Sequence, residues 1–278
     1  MPPLVVEQLG KRYGSTAAVD GLSFTVPAGS VCGFLGPNGA GKTTTLRILL
    51  GLTAATEGSA HATGHVAGVL DRDGFHPGRT ARDELVLAAA RAGRGDPDEA
   101  LERAGLTAIG DRRVGACSFG MRRRLAVAAA LLKAPDVLLL DEPATGLDPH
   151  ALRALRTRLR ELAAAGGTVL LSSHVLDEVA ATCDRVIVIN RGRRVAEGPL
   201  DELLAQRIRL RSPDPAALLE ELRARGLDAC PDGPGTVIVT GADPDTVGRA
   251  VRDSGAVLHE MSTQGALEAL YVGLTEAS

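Results

Sequence analysis

Gly36-Pro37-Asn38-Gly39-Ala40-Gly41-Lys42-Thr43-Thr44 has the pattern of a phosphate-binding loop. An apolar run at residues 31–35 precedes it, and a run with helical character at 44–50 follows it. Such loops need glycines because the backbone must turn and aim successive N–H groups at a phosphate from a helix N-terminus. A Gly-rich turn could also simply cap a helix. The strand before it and the helix after it favour a nucleoside triphosphate site.

Each residue type in this stretch would have its own task at a triphosphate. The Lys42 ammonium would reach the β- and γ-phosphate oxygens, and the Thr43 hydroxyl would bind Mg²⁺. The glycines allow the tight turn. The nucleotide-binding set predicted from the loop is Gly36, Pro37, Asn38, Gly39, Ala40, Gly41, Lys42, Thr43 and Thr44.

The composition indicates a globular protein without a strong charge. Of the 278 residues, 45% are apolar, and 31 basic side chains stand against 34 acidic ones for a net charge of −3. A chain of this size and apolar content can bury a large core. Since no basic excess is available to hold a phosphate backbone, we expect no nucleic acid among its partners.

Two further features bear on where the protein works. Its apolar runs are strand-sized, and none approaches the ~20 residues that a membrane-spanning helix requires. The N-terminal residues lack the basic region and long apolar stretch of a secretory signal. We therefore expect a cytoplasmic protein with reduced thiols, which would fill small apolar spaces at Cys32, Cys117, Cys183 and Cys230.

Short apolar runs alternate with helical patterns over most of the chain, which is typical of a parallel sheet with crossover helices. Strands are predicted at 4–9, 23–26, 31–35, 137–140, 168–172 and 186–190. The last four lack polar alternation, as expected for strands buried on both faces. Helices are predicted at 43–50, 81–91, 97–104, 119–132, 149–165 and 176–181.

A second region is predicted from residue 207 to 278, after a first domain at 1–206. Its order of elements predicts a small α+β domain of split β-α-β type. Strands are expected at 207–211, 227–230, 236–240 and 256–261, and helices at 215–225, 244–254 and 266–274. The sequence leaves open whether this domain dimerises or senses a ligand.

Two carboxylates, Asp141 and Glu142, follow the apolar run at 137–140. Open α/β sheets bind ligands at the carboxyl ends of their strands. Asp141 would hold Mg²⁺, and Glu142 would face an attacking water as general base. An Asp-Glu-Pro sequence can also merely end a strand, but a phosphate-binding loop in the same chain favours the chemical role.

Three further segments accompany the loop and the carboxylates. Ser118-Phe119-Gly120 opens a helix, Gly146-Leu147-Asp148 follows Glu142, and Ser172-Ser173-His174 ends the next buried strand. In this order, the five motifs resemble the ATP-binding subunit of an ABC (ATP-binding cassette) transporter, over about residues 4–200. The resemblance implies an α/β P-loop NTPase fold with a mostly parallel sheet, an antiparallel β subdomain and a helical subdomain at about 72–135.

The resemblance also implies a composite active site and an ATPase activity that drives transport. Two cassettes of this family pack head to tail, so Ser118 and Gly120 would touch the γ-phosphate of ATP held by the partner. Asp148 would bridge the two sites. His174 would contact the γ-phosphate and help to position Glu142, which together with Lys42 forms the catalytic set.

Outside these motifs, the family pattern gives roles to Tyr13 and Asp71. Tyr13 matches the aromatic residue that stacks on adenine. The usual glutamine that links Mg²⁺ to the transmembrane partner is replaced by Asp71, which would be a metal ligand. The signature, Cys117-Ser118-Phe119-Gly120-Met121, departs from Leu-Ser-Gly-Gly-Gln and resembles the form found in drug- and antibiotic-export subunits.

The implied partners are a separate transmembrane permease and a second cassette, either a copy of this chain or a paralogue. The protein would lie on the inner face of the cell membrane through that permease, exporting drugs, antibiotics or lipophilic compounds. A non-transport ABC ATPase acting on DNA or ribosomes is the alternative, but the chain lacks the long coiled-coil insertion or second cassette usual there. His61, His65 and His76 lack a metal-ligand pattern.

Overall fold

The computed structural model of the chain describes residues 2–70, 74–204, 206–265 and 271. It divides into two units, Met1–Gly198 and Pro199–Ser278. Asp71 and most of the helix predicted at 266–274 lie outside the described residues.

The first unit contains two sheets. Its strands are β1 (Leu4–Tyr13), β2 (Thr16–Val26), β3 (Val31–Leu35), β4 (Glu57–Ala62), β5 (Val66–Val69), β6 (Val137–Asp141), β7 (Thr168–Ser173), β8 (Arg185–Asn190) and β9 (Arg193–Pro199). Its helices are α1 (Lys42–Leu49), α2 (Ala81–Ala92), α3 (Pro97–Arg103), α4 (Phe119–Leu131), α5 (Pro149–Ala164) and α6 (Leu176–Ala180), with short 3₁₀ turns at Thr107–Ile109 and Val114–Ala116.

The larger sheet has the order β5-β6-β7-β3-β8-β9, and its first five strands run parallel. Every residue of β3, β6 and β7 is buried, as the absence of polar alternation predicted. Their carboxyl ends share one edge of the sheet, which is where open α/β sheets bind ligands. The predicted α/β fold class is confirmed.

A three-stranded antiparallel sheet, β2-β1-β4, packs beside the parallel one. Buried side chains of both sheets and of α1 form one apolar cluster, which includes Leu4, Phe24, Phe34, Leu46 and Ile187. This cluster fixes the position of the segment between β3 and α1 against both sheets.

Helices α2, α3 and α4 lie between β5 and β6 in sequence and have their own apolar core, with Leu85, Leu101 and Leu125 fully buried. Side-chain caps begin each helix. Thr80 and Asp83 form a reciprocal capping box on α2, Asp96 caps α3, and Ser118 caps α4.

The second unit contains α7 (Leu200–Leu204), β10 (Gln206–Arg211), α8 (Pro215–Ala224), β11 (Asp228–Pro231), β12 (Thr236–Thr240), α9 (Pro244–Ser254) and β13 (Glu260–Gly265). Its four strands are antiparallel neighbours in the order β11-β12-β10-β13. Apolar residues of α8 and α9 pack with those of β10 and β12 in one cluster. This is the topology of a split β-α-β fold.

Several sequence expectations differ from the structure. The elements β4, β5, β9 and α7 were not predicted, and the strand expected at 256–261 begins only at Glu260. Ala256 and Leu258 pack on the apolar cluster without joining the sheet, and pairing begins where Glu260 meets Arg211. The apolar residues Ala256 and Leu258 therefore belong to the core but lie just before the strand.

The cysteine prediction holds for three of the four positions. Cys32, Cys117 and Cys183 are buried. Cys230 is exposed because it lies on β11 opposite Ile238, on the side of the sheet away from the buried Ala229 and Val239. In the described part of the chain, no helix combines the length and the apolar character needed to cross a bilayer.

Candidate nucleotide site

The loop between β3 and α1 is held so closely that two of its positions admit only glycine. A Cβ at Gly36 would lie 2.4 Å from the Ile189 carbonyl oxygen, and one at Gly41 would lie 2.5 Å from the Ala18 carbonyl oxygen. Gly41 also has φ of 105° and immediately precedes α1. The backbone therefore turns against β2 and β8 and presents the α1 N-terminus, which suits an anion.

Lys42 is the first residue of α1 and is only 6% exposed. Its Nζ donates to the carbonyl oxygens of Gly36, at 2.6 Å, and Pro37, at 3.2 Å, and lies 3.6 Å from Glu142 Oε1. Burial lowers the pKa of Lys42, while the charges of Glu142 and Asp141 act in the opposite direction. The ammonium is thus held inside the loop that would surround a phosphate.

A hydroxyl and a carboxylate meet beside this lysine. Thr43 Oγ1 donates to Asp141 Oδ2 at 2.7 Å, and Ser172 Oγ donates to Asp141 Oδ1 at 2.5 Å. Thr43 and Asp141 offer the oxygen ligands that Mg²⁺ prefers, and nucleotide phosphates would supply others. No group of three or more His, Cys, Asp or Glu suited to a metal occurs in the described ranges. The donor set therefore fits a metal bound together with a phosphate ligand.

Glu142 links the lysine to a histidine. Its Oε2 lies 2.8 Å from His174 Nδ1, and its backbone N–H donates to Ser172 Oγ at 3.0 Å. Its φ of 49° lies in the left-handed region, which a non-glycine residue adopts only when surrounding contacts hold it there. The turn at the end of β6 thereby directs a carboxylate between Lys42 and His174.

A second group of predicted residues lies where α4 and α5 begin. Ser118 Oγ accepts from the Met121 N–H at 3.2 Å, and Asp148 Oδ1 accepts from the Ala151 N–H at 2.8 Å. The hydrogen bond from Ala151 lowers the pKa of Asp148. A Cβ at Gly120 would lie 2.6 Å from the Gly146 carbonyl oxygen, so the two helix starts are in close contact.

Three comparisons with known proteins bear on this arrangement. A family model described as ABC transporter matches residues 19–145. A Nod factor export ATP-binding protein I of Burkholderia lata is 42% identical over 245 residues, covering 80% of this chain and 81% of that protein. One of Ralstonia nicotianae is 44% identical over 226 residues, covering 74% and 70%. The chain belongs to the ABC transporter ATP-binding subunits.

Solved structures agree with this assignment of the ABC subunit. The ATP-binding subunit of an ABC transporter superposes with a TM-score of 0.67 at 28% identity, covering 72% of this chain and 91% of that one. A nucleotide-free ATP-binding cassette superposes with a TM-score of 0.63 at 24% identity, covering 72% and 92%, and shows the fold alone. The family consists of ATPases coupled to transport. A family of unknown function matches residues 206–268.

The predicted site residues that the structure describes form two groups and one outlying position. Lys42, Thr43, Asp141, Glu142 and His174 are joined by the contacts described above. Ser118, Gly120 and Asp148 form the second group. Tyr13 is 50% exposed at the end of β1, with Lys11 Nζ 5.0 Å from its ring centroid. A half-exposed ring is available to stack on a base.

Sequence reasoning missed Ser172, which holds the site together, and Arg123, which holds the residue after β5. Ser172 contacts both Asp141 and the backbone of Glu142, and its place in Ser172-Ser173-His174 was the available signal. Buried Arg123 of α4 donates through Nη1 to the Leu70 carbonyl oxygen at 2.7 Å, which anchors the chain just before Asp71. Arg123 stood in a run of three arginines, and nothing in that run distinguished it.

His65 and His76, which lack a metal-ligand pattern in the sequence, make local hydrogen bonds. His65 Nδ1 lies 2.9 Å from the Lys133 carbonyl oxygen, and the His76 N–H donates to Glu84 Oε1 at 2.9 Å. These bonds tie β5 to the residues before β6, and the segment before α2 to α2 itself.

Proposed function

We propose that this chain is the ATP-hydrolysing motor of an exporter, acting on a separate membrane permease. The observation that carries the proposal is the joined set of Lys42, Thr43, Asp141, Glu142 and His174 at one sheet edge. The similar proteins from Burkholderia lata and Ralstonia nicotianae are named for export, which supports export as the direction of transport. The signature Ser118-Phe119-Gly120-Met121 supports drugs, antibiotics or other lipophilic compounds as the exported class.

The chemistry follows from the contacts of the first group. Lys42 would exchange its loop carbonyls for phosphate oxygens when ATP binds. Glu142 would accept a proton from the attacking water, held in orientation by His174. Mg²⁺, bound by Thr43 and Asp141, would neutralise charge on the phosphates.

We propose that the working unit is a head-to-tail pair of cassettes. Ser118 and Gly120 begin α4, where N–H groups and the helix dipole favour an anion, and Ser118 is exposed. The partner's triphosphate would be that anion, with Asp148 contacting the other subunit beside it. The pair would consist of two copies of this chain or of this chain and a paralogue.

Ser118→Arg tests the pair. An arginine at this position would occupy the space for the partner's γ-phosphate, so we expect ATP binding by the monomer within about twofold of the parent and turnover reduced at least about a hundredfold. Turnover is measured at rising protein concentration. Thr80→Arg is the matched control, because it also removes a helix cap, which costs about 1 kcal/mol, but lies on α2. Undiminished turnover by Ser118→Arg would refute the head-to-tail arrangement, in which Ser118 meets the partner's γ-phosphate.

The permease would dock on the helical subdomain. A cleft of about 160 Å³ beside α2 is lined by Phe75, Leu87 and Arg91, and Val86 nearby is an exposed apolar side chain. An amphipathic helix of a membrane protein would bury such side chains. The subunit would then lie on the cytoplasmic face of the membrane.

Recovery of a membrane protein with the tagged subunit tests this role. We expect a multi-span permease to accompany the subunit from native membranes, and Val86→Asp to reduce its yield by about tenfold, because a buried charge opposes docking. Val195→Asp on β9 is the control, since Val195 is also exposed. Recovery of ribosomes or DNA instead of a permease would favour the non-transport alternative.

We propose Asp71 as a metal ligand in place of the family's glutamine. Arg123 donates a hydrogen bond to the carbonyl oxygen of Leu70, the residue that follows β5 and precedes Asp71. If Asp71 serves the metal, Asp71→Gln should retain turnover but change its Mg²⁺ dependence, measured as the half-saturating Mg²⁺ concentration. An unchanged Mg²⁺ dependence would exclude this role.

A further inference from the structure

A cavity of about 430 Å³ lies in the first unit between α3, α4 and α5. Its volume falls in the range of sites for small organic ligands. None of the residues assigned above to ATP, to Mg²⁺ or to catalysis lines it. The cavity is therefore a separate feature of the cassette.

The floor of the cavity is apolar. Helix α4 contributes Val127 and Leu131, and α5 contributes Ala151, Ala154 and Leu155. The two alanines leave open the space that larger side chains would fill at a helix–helix contact. An aliphatic group could occupy this floor and remove it from water.

The rim carries an excess of positive charge. Among the described residues that line the cavity, five are arginines and three are carboxylates. The carboxylates are already engaged: Asp96 caps α3, Glu99 pairs with Arg103, and Glu161 pairs with Arg103 and Arg158. Arg94 and Arg124 also line the cavity, and none of the three lining carboxylates forms an ion pair with either of them.

Arg124 and Arg94 are the cations that a ligand in this cavity would meet. Arg124 Nη1 donates to the Ala104 and Gly105 carbonyl oxygens at 3.5 and 3.3 Å, but Arg124 Nε is buried without a hydrogen-bond partner in the described structure. Because protein atoms cover Nε, a carboxylate in the cavity would be met by the terminal nitrogens of this guanidinium. Arg94, exposed on the rim, adds a second cation.

We propose that this cavity binds a small amphipathic anion, with its aliphatic body on the α4–α5 floor and its carboxylate toward Arg124 and Arg94. The ligand would join two helices whose N-termini carry Ser118 and Asp148. Occupancy would therefore add a second link between α4 and α5, beside the contact of Gly120 with Gly146. This site does not depend on the exporter assignment.

Calorimetric titration of the full chain with decanoate, without nucleotide, tests the site. We expect saturable binding of one decanoate per chain, and binding at least about tenfold weaker for decyltrimethylammonium, which has the same body and the opposite charge. Absence of saturable decanoate binding, or equal affinity for the cation, would overturn the proposal.

Variants then locate the bound decanoate. Ala154→Trp fills the floor and should weaken binding at least about tenfold, while Arg94→Gln should weaken it about fivefold. Arg153→Gln is the control, because Arg153 lies exposed on α5 outside the lining. Thermal unfolding verifies that each variant folds. If Ala154→Trp protein does not fold, the Arg94→Gln variant still tests the location of the ligand, because Arg94 is exposed. Unchanged affinity in a folded Ala154→Trp or Arg94→Gln variant would refute this location.

Discussion

Glu142→Gln protein should bind ATP as the parent does and lose hydrolysis by at least about a hundredfold. Glutamine has the size of glutamate but cannot accept the proton of an attacking water, and a positioned general base contributes about 10²–10⁴ in rate. The substitution also removes a negative charge 3.6 Å from Lys42 Nζ. Because a triphosphate is itself an anion, the loss of this charge does not weaken ATP binding. We expect the variant to accumulate as an ATP-bound pair of cassettes.

Phosphate release and gel filtration with ATP measure the two parts of this result. Glu102→Gln is the matched control, since Glu102 is exposed on α3. Hydrolysis equal to that of the parent would remove Glu142 as the base. A variant that neither hydrolyses nor binds ATP would instead assign Glu142 to nucleotide binding.

Lys42→Ala should weaken ATP binding at least about a hundredfold. The lysine supplies the positive charge inside the loop, and charge-assisted hydrogen bonds to phosphate are worth about 1.5–3 kcal/mol each. The structure strengthens the expectation because Nζ already lies between the carbonyl oxygens of Gly36 and Pro37. A fluorescent ATP analogue reports the affinity.

Two comparisons make the lysine result specific. Lys133→Ala removes a partly buried lysine outside the loop and should bind ATP normally. Thermal unfolding without nucleotide shows whether Lys42→Ala protein remains folded, because the substitution also removes two hydrogen bonds within the loop. Parent-like ATP affinity in the folded variant would mean that the triphosphate binds elsewhere.

The central strands could be predicted from sequence because burial on both faces leaves a continuous apolar signal. Edge and short strands carry no such signal. Strand β4 includes Gly58, Ser59 and His61, and β5 contains Gly68. Glycine weakens a strand and is more typical of turns, so composition alone does not indicate either strand. The structure gives Gly68 a packing reason instead: a Cβ there would lie 2.6 Å from Leu50. That contact joins residues distant in sequence, so no local pattern encodes it.

The candidate site divides in the same way. The loop at 36–44 could be assigned from sequence because one short segment contains its glycines, lysine and hydroxyl. The contact of Ser172 with Asp141, by contrast, joins two residues that lie on neighbouring strands but 31 positions apart in the chain. It depends on the parallel order β6-β7-β3, which the apolar runs did not specify.

The close approach of Gly120 and Gly146 limits how the cassette can move. The first turn of α4 and the turn before α5 touch through backbone, where only glycine fits, so neither can shift far without the other. Ser118 and Asp148, each two residues from this contact, would therefore move together. A partner subunit would meet both side chains at once or neither, which would make closure over ATP an all-or-none event.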